Sequence, residues 1–282
     1  MPPKTTDGVL GWLRNKGYPW EVAVGKMFRD AGWWVAHAPH FMDPVTGKMR
    51  ELDLRAGHNR RITTETKFHS IGVGVNLSIE CKSCPGEPWI VYPGSEVTDE
   101  FSYLSEFLLG PSEEMFDEQL GGGDSELPTI NFIPRHSGLV QWRTNDSSKD
   151  LAFGATGQAS SAARALAITG RANLLGPRQP LWFPELTLNF AVVALCGQLF
   201  SYGLDSDGKE LVKEIVSAAV PFRHDDGSSQ HVAIVTEDRL PGFAAKLLDE
   251  CKQFGEELEE PTERWFGQFR IDAGVDRTSS RS

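Results

Sequence analysis

The segment GVGVNLSIECKSC, residues 72–84, alternates apolar and polar side chains and constrains the fold more than any other part of the chain. Side chains on an extended strand point alternately to its two faces, so the apolar members share one face: Val75, Leu77 and Ile79. The polar members share the other face: Asn76, Ser78, Glu80 and Lys82. The pattern predicts a strand with one apolar and one polar face, on which Glu80 and Lys82 are neighbours.

A second segment, MRELDLRA at residues 49–56, has the same period of two. One face of this predicted strand is largely polar: Met49, Glu51, Asp53 and Arg55. The segment before it, Trp33 to Phe41, predicts a short strand, and the turn residues of MDPVTGK predict a hairpin between them. Upstream, PWEVAVGKMFRDAG predicts a helix from Pro19 to the stop signal at Gly32.

Further along, the chain alternates between predicted strands and helices. We predict strands at 88–92, at Leu188 to Leu195 with a continuation through Leu199 to Tyr202, and in HVAIVTEDRL. We predict helices in DEFSYLSEFLL, in SSAARALAITG ending at Gly170, and in LPGFAAKLLDECKQFGEEL. His58 to Ser70 reads as a polar connection, 94–150 as an insertion or lid, and about 274–282 as a disordered tail. The prediction is a single α/β domain over residues 1–282 with a mixed β-sheet.

Composition narrows the class of protein. The formal net charge of −11 argues against a protein that coats nucleic acid indiscriminately, although the stretch 48–67 has a local basic excess that can meet phosphate. No segment is apolar enough to span a membrane, and the N-terminus lacks a secretory signal pattern, so we expect a cytoplasmic protein. Its four cysteines are too scattered for a disulfide framework and are expected to be reduced thiols.

The two polar strand faces suit phosphodiester hydrolysis with a divalent cation. Such chemistry needs oxygen ligands for the ion, an oriented water and charge stabilisation at the phosphate. Asp53 and Glu80 supply carboxylate ligands if their strands are adjacent, and the backbone carbonyl of Cys81 can complete part of the oxygen shell. Lys82 can orient or help deprotonate the attacking water and offset charge on the phosphate. Because these ligands are hard oxygens, we expect Mg²⁺, with Mn²⁺ able to substitute.

The order helix, strand, turn, ELD strand and IECK strand resembles the PD-(D/E)XK superfamily of restriction-endonuclease-like proteins. The resemblance rests on DPVTGKMRELDL at 43–54, IECK at 79–82 and PWIV at 88–91. It implies an αβββαβ core, Asp53 and Glu80 as metal ligands, Lys82 as the catalytic lysine and Glu21 as an accessory acid on the first helix. Gln158 is the candidate from the second helix. DNA rather than RNA, and host defence or DNA repair, are the substrate and context that the resemblance implies.

Other interpretations of the same residues stay open. Asp53 and Glu80 can be solvated strand residues paired with Arg55 and Lys82, and Glu21 can be an acid favoured by the helix dipole. Glu51 is expected to make a surface or supporting contact, with metal ligation the lesser alternative. A catalytically silent nuclease-like fold that binds nucleic acid or protein is the main alternative function. A homodimer, or an assembly subunit that docks through 94–150 in a larger defence or repair complex, is also compatible with the sequence.

Overall fold

A computed structural model describes residues 5–63, 70–93, 133–141, 151–174, 185–225, 227 and 229–259. Helices in this part of the chain are α1 (Thr6–Asn15), α2 (Tyr18–Asp30), α3 (Leu151–Leu174) and α4 (Leu240–Glu257). Helix α2 begins after Gly17, whose φ of 84° lies in the left-handed region, and has a proline in its first turn. None of the described helices is long and apolar enough to span a lipid bilayer.

The strands form a mixed central sheet and two smaller sheets. They are β1 (Trp34–His37), β2 (His40–Met42), β3 (Met49–Glu51), β4 (Leu54–Thr63), β5 (Ser70–Ser83), β6 (Trp89–Pro93), β7 (His136–Gln141), β8 (Glu185–Cys196), β9 (Leu199–Leu204), β10 (Glu210–Ile215), β11 (Ser217–Arg223) and β12 (Ser229–Thr236). The six-stranded sheet has the order β1-β4-β5-β8-β12-β11. Its middle strands β5, β8 and β12 are parallel, and the flanking pairs are antiparallel. The predicted α/β class with a mixed sheet is confirmed.

Helices α2 and α4 cover one face of the central sheet. The apolar residues of β5 lie in this core together with Val24 and Phe28 of α2 and Phe243 and Leu247 of α4. Two tryptophan indoles fix the layers by donating to backbone carbonyls: Trp20 to Ala194 at 3.0 Å and Trp33 to Ala244 at 2.9 Å. The apolar alternation of residues 75–79 therefore marks the face that these two helices bury.

Helix α3 covers the opposite face. Its alanines, including Ala155, Ala159 and Ala163, pack against Ala191 and Val193 of β8. Short side chains let the helix lie close to the sheet, as the alanine-rich sequence predicts. The consequence for β5 is that its polar face is buried beneath a helix, and residues 73–80 are buried on both faces.

Several predicted boundaries are wrong. His58 to Thr63 is part of β4, paired with β5 as far as Thr63↔Ser70, and is not a polar connection. The strand predicted from Trp33 to Phe41 divides at Ala38, whose φ is 49°, and MRELDLRA divides into β3 and the start of β4. The turn between β2 and β3 does form the predicted hairpin, although only those two short strands pair in it.

The second sheet also departs from the prediction. Strands β6 and β9 lie in a four-stranded sheet of order β10-β9-β6-β7, so Leu199 to Tyr202 does not continue β8 in the same sheet. Helix α3 is longer than SSAARALAITG at both ends, and α1, β10 and β11 were not predicted. Of the predicted insertion at 94–150, the structure describes 133–141, where β7 pairs with β6. DEFSYLSEFLL and the tail at 274–282 lie outside the described residues.

Candidate active site

The predicted site residues meet where β4 begins and β5 ends. Leu54 is paired with Ile79 in the antiparallel ladder, which places Asp53, just before β4, beside Glu80 on β5. Because β4 and β5 are the second and third strands of six, the cluster lies at the end of interior strands of the sheet. The antiparallel pairing is what brings two carboxylates distant in sequence to one place.

Asp53 is held in place by the neighbouring strand. Its Oδ2 accepts a hydrogen bond from the backbone N–H of Cys81 at 2.7 Å and lies 3.6 Å from Nζ of Lys82. Arg55 does not pair with it: its guanidinium donates to Oδ1 of Asn76 at 2.8 Å and lies 5.2 Å from the Trp34 ring. The alternative of a solvated Asp53–Arg55 pair is therefore wrong.

Glu80 is a buried carboxylate rather than a solvated one. Its Oε2 accepts a hydrogen bond from Nζ of Lys82 at 2.7 Å, whereas its buried Oε1 has no hydrogen-bond partner among the described residues. Burial raises the pKa of Glu80 to about 7; the negative charge of Asp53 adds to this rise and the positive charge of Lys82 opposes it. The geometry contains one carboxylate oxygen that the described part of the protein does not satisfy.

Lys82 lies between the two carboxylates, with a quarter of its side chain exposed. Burial alone acts to lower the Lys82 pKa, but the charges of Glu80 and Asp53 outweigh burial and raise it. The side chain is therefore an ammonium at neutral pH. Its exposed fraction leaves it accessible to a bound phosphate.

Glu21 faces the same cluster from the first turn of α2. Its pKa is raised, first by burial and then by the negative charges of Asp53 and Glu51, with Lys82 acting in the opposite direction. Carboxylates influence one another in this way only at short range. Glu21 therefore belongs to the electrostatic cluster as well as to the helix start.

Glu51 and Gln158 lie at its border. Glu51 is exposed, and its Oε2 lies 3.8 Å from Nε2 of His40 on the paired strand β2. Gln158 on α3 donates from Nε2 to the backbone carbonyl of Glu51 at 2.7 Å. Gln158 thus ties α3 to the β2–β3 hairpin next to the site, and both residues are placed to support it from outside.

In the described part of the basic stretch, residues 48–63, three arginines are paired within the chain. Nε of Arg50 lies 2.5 Å from Asp43, Arg55 bonds Asn76, and Arg60 forms ion pairs with Glu256 and Glu259. These three arginines, which the sequence suggested could meet phosphate, therefore have partners within the protein. Lys82 remains the cation most closely associated with the carboxylates.

Whether the residues fit a divalent cation depends on their oxygens. Within the described ranges, no group of three or more His, Cys, Asp or Glu side chains is arranged to hold a metal ion. The set predicted from sequence needs only two carboxylates, Asp53 and Glu80, with the Cys81 carbonyl. The buried, unpartnered Oε1 of Glu80 fits such a cation because it is a hard anionic ligand.

All four cysteines are free thiols, as expected.

Sequence reasoning missed a groove next to this cluster. Lys82 and Gln158 line it together with Phe153 and Phe222, which come from α3 and β11. No spacing or motif connects two phenylalanines so far apart in the chain, so only the packing of α3 against the sheet reveals the pair.

Comparisons of the chain with protein-family models, with curated proteins and with solved structures found no match.

Proposed function

We propose that this chain is a divalent-metal-dependent nuclease that hydrolyses phosphodiester bonds, with DNA favoured over RNA as its substrate. The observation that carries the proposal is the buried Glu80 carboxylate, which has one oxygen bonded to Lys82 and the other without a described partner. Asp53 lies beside it, and Lys82 contacts both carboxylates. Metal ligands and a cation for phosphate are the components that this reaction requires.

The free-energy cost of burying the Glu80 carboxylate supports a role for Glu80 in metal binding rather than in stabilising the fold. A buried carboxylate lowers stability unless its oxygens are hydrogen-bonded or paired with positive charge. Lys82 is a single cation shared between two carboxylates, so the cluster keeps a net negative charge. A protein selected only for stability would gain by replacing Glu80, whereas a protein that binds a divalent cation needs it.

The residues divide the work as follows. Asp53, Glu80 and the carbonyl of Cys81 are the proposed Mg²⁺ ligands, and Mn²⁺ is expected to substitute. When bound, the ion supplies Lewis-acid polarisation of a phosphoryl oxygen and a more acidic water. Lys82, held by Glu80 and Asp53, stabilises negative charge that develops on the phosphate. Glu21, with its raised pKa, is the accessory acid that can exchange a proton at this site.

The order of elements also supports the proposal. Taken along the chain, α2, β1, β4, β5, α3 and β8 follow the αβββαβ order of the PD-(D/E)XK superfamily, with the short β2–β3 hairpin between the first two strands and β6 and β7 between β5 and α3. The restriction-endonuclease-like core, and a role in host defence or DNA repair as a homodimer or in a larger complex, are part of this proposal. Fold likeness alone is a weak warrant for activity, so the residues carry the argument.

The test is cleavage of plasmid, linear duplex and single-stranded DNA, and of RNA, in Mg²⁺, Mn²⁺ or EDTA. We compare the wild type with Asp53→Asn and Lys82→Ala, and with Lys209→Ala as a control for loss of an exposed lysine. The exposed side chain of Lys209 makes a long surface ion pair with Asp207 at 3.9 Å. We expect the wild type to cut in Mg²⁺ and not in EDTA. Each site variant should lower the cleavage rate about 100-fold or more, which is the usual effect of removing one group that stabilises a transition state.

Two results would contradict the proposal. Equal cutting by wild type and Lys82→Ala would assign the activity to a contaminant or to another site. A folded wild type that binds DNA but does not cut it in any metal would favour the catalytically silent binding module. Asp53→Asn is the informative ligand variant because its amide oxygen can still accept the hydrogen bond from Cys81, so the strand connection is preserved.

A further inference from the structure

The groove beside the site has a volume of about 660 Å³ and is lined partly by Lys82 and Gln158. This volume falls within the roughly 300–1,000 Å³ of pockets that hold small molecules or parts of larger ligands. Because Lys82 belongs both to the carboxylate cluster and to the groove, a strand with a phosphate at Lys82 would pass directly into it.

Two phenylalanine rings stand in this groove. The ring centroids of Phe153 on α3 and Phe222 on β11 are 5.6 Å apart, with planes tilted by 40°. Phe153 exposes 66% of its surface, and Leu151 in the same lining is also exposed. An exposed apolar cluster that lines a concave surface marks a binding site more often than a single exposed side chain does. The aromatic pair thus provides an exposed apolar surface on which a planar ligand can stack.

Two glycines of α3 belong to the lining of the groove, and packing constrains them differently. A Cβ at Gly157 would approach Cζ of Phe222 to 3.1 Å, so glycine lets that ring lie against the helix. A Cβ at Gly154 would meet nothing within 4 Å, so packing does not require glycine there. Of the two, Gly157 is therefore the position at which a side chain would press on the Phe222 ring.

The charges in the groove indicate which part of a nucleic acid it suits. Arg50 lies in the lining, but its guanidinium is paired at 2.5 Å with the buried carboxylate of Asp43. That carboxylate also accepts hydrogen bonds from the backbone N–H groups of Val45 and Thr46. Lys82, the other cation in the described lining, is bonded to Glu80, so the groove does not suit a run of phosphates. Aromatic rings with polar neighbours such as Gln158 and Ser161 suit a base instead.

We propose that this groove binds an unstacked base of the strand whose phosphate lies at Lys82, so that the substrate is single-stranded or has an unpaired segment at the cleavage point. The inference rests on the proposed function, since it places the base relative to the candidate active site. Phe153 and Phe222 contact the base by stacking. Duplex bases remain stacked on their neighbours and are excluded from the groove until they are unpaired.

The test is binding without cleavage. Single-stranded and duplex DNA oligonucleotides carrying one 2-aminopurine are titrated with protein in EDTA, and the quenching of the base's fluorescence and the Kd are measured. Variants are Phe153→Leu, which keeps apolar bulk without an aromatic face, Phe153→Trp, which keeps the face, and Phe222→Leu. Leu211→Ala, an exposed apolar residue on β10 outside the groove, is the matched control.

We expect the wild type, Phe153→Trp and Leu211→Ala to quench the single strand strongly and the duplex weakly. Phe153→Leu should lose most of the quenching and bind the single strand about five- to tenfold more weakly, in line with loss of one base–aromatic stack. Wild-type quenching and affinity in Phe153→Leu, or absence of single-strand binding by the wild type, would overturn the inference. The fluorescence measurement needs neither metal nor cleavage. A protein that stacks the base but cuts no substrate would therefore contradict the nuclease proposal and leave the base-binding inference intact.

Discussion

Between residues 75 and 80 the two faces of β5 are both buried, but they differ in the side chains that they bury. On one face Val75, Leu77 and Ile79 pack under α2 and α4 with 1% or less of their surface exposed. On the other, Ser78 and Glu80 are just as inaccessible, yet they place a hydroxyl and a carboxylate there. The apolar face contributes to stability and the polar face detracts from it, which is the usual sign that a polar face has a function.

The polar face itself changes along the strand. Asn76, at the end away from the site, accepts from Arg55 and donates to Oδ1 of Asn189 at 3.2 Å. Ser78 Oγ and Glu80 Oε1, nearer the site, have no hydrogen-bond partner among the described residues. Unsatisfied groups therefore concentrate where the candidate metal ligands lie, and the following substitutions separate the two faces experimentally.

The largest effect is expected on the apolar face. Leu77→Ala removes a fully buried side chain from the core and should lower the free energy of unfolding by about 2–5 kcal/mol, measured by urea denaturation. Leu211→Ala, which trims an exposed side chain on β10, should change the same quantity by less than about 0.5 kcal/mol. Similar values for the two variants would mean that this face of β5 is not the core.

The next effect concerns Glu80 and depends on pH. Its folded-state pKa of about 7 lies above the ordinary 4.5, so the folded protein holds this proton more tightly than the unfolded chain. The free energy of unfolding should therefore fall as the pH rises from about 4.5 to 7, and the loss is complete above 7. Glu80→Gln carries no such penalty and still offers Lys82 a hydrogen-bond acceptor.

Urea denaturation in EDTA at pH 5 and pH 8 tests this. From pH 5 to pH 8, the free energy of unfolding of Glu80→Gln should rise relative to that of the wild type by on the order of 2 kcal/mol. The reason is that a pKa difference of one between the folded and unfolded states corresponds to about 1.4 kcal/mol. The raised pKa of Lys82 lies above this window, so its charge does not change within it. A difference between the two proteins that is the same at both pH values would contradict the assignment. The variant should also lose cleavage.

The smallest effect is expected at Ser78. Ser78→Ala deletes a buried hydroxyl that no described residue hydrogen-bonds, so the free energy of unfolding should stay the same or rise by up to about 1 kcal/mol. The matched contrast is Thr236→Val, which deletes a hydroxyl that donates to the carbonyl of Val216 at 3.0 Å and should cost about 0.5–1.5 kcal/mol. Thermal unfolding measures both. A clear loss of stability in Ser78→Ala would show that its hydroxyl has a partner.

Local periodicity was enough to predict much of the fold. The alternation in residues 72–84, the helix after Pro19 and the final helix are each encoded by neighbouring residues, and each is present, whereas the strand predicted over 49–56 is divided between β3 and β4. The prediction of a polar connection from His58 to Ser70 was wrong for residues 58–63. Exposed strand residues such as Asn59 and Arg61 resemble loop residues when their pairing partner is not known. Strands β10 and β11 were missed as well, and β10 is exposed along nearly its whole length.

For the candidate site, the residue pattern alone predicts that Glu80 and Lys82 share a face, because a strand's period of two is a property of the backbone. Three features depend on segments distant in the chain: Asp53 bonds the strand of Glu80, α3 buries the polar face, and Phe153 meets Phe222 beside Lys82. The reason is that periodicity reports the direction of a side chain, whereas burial, pKa and pockets depend on which distant segment packs against it.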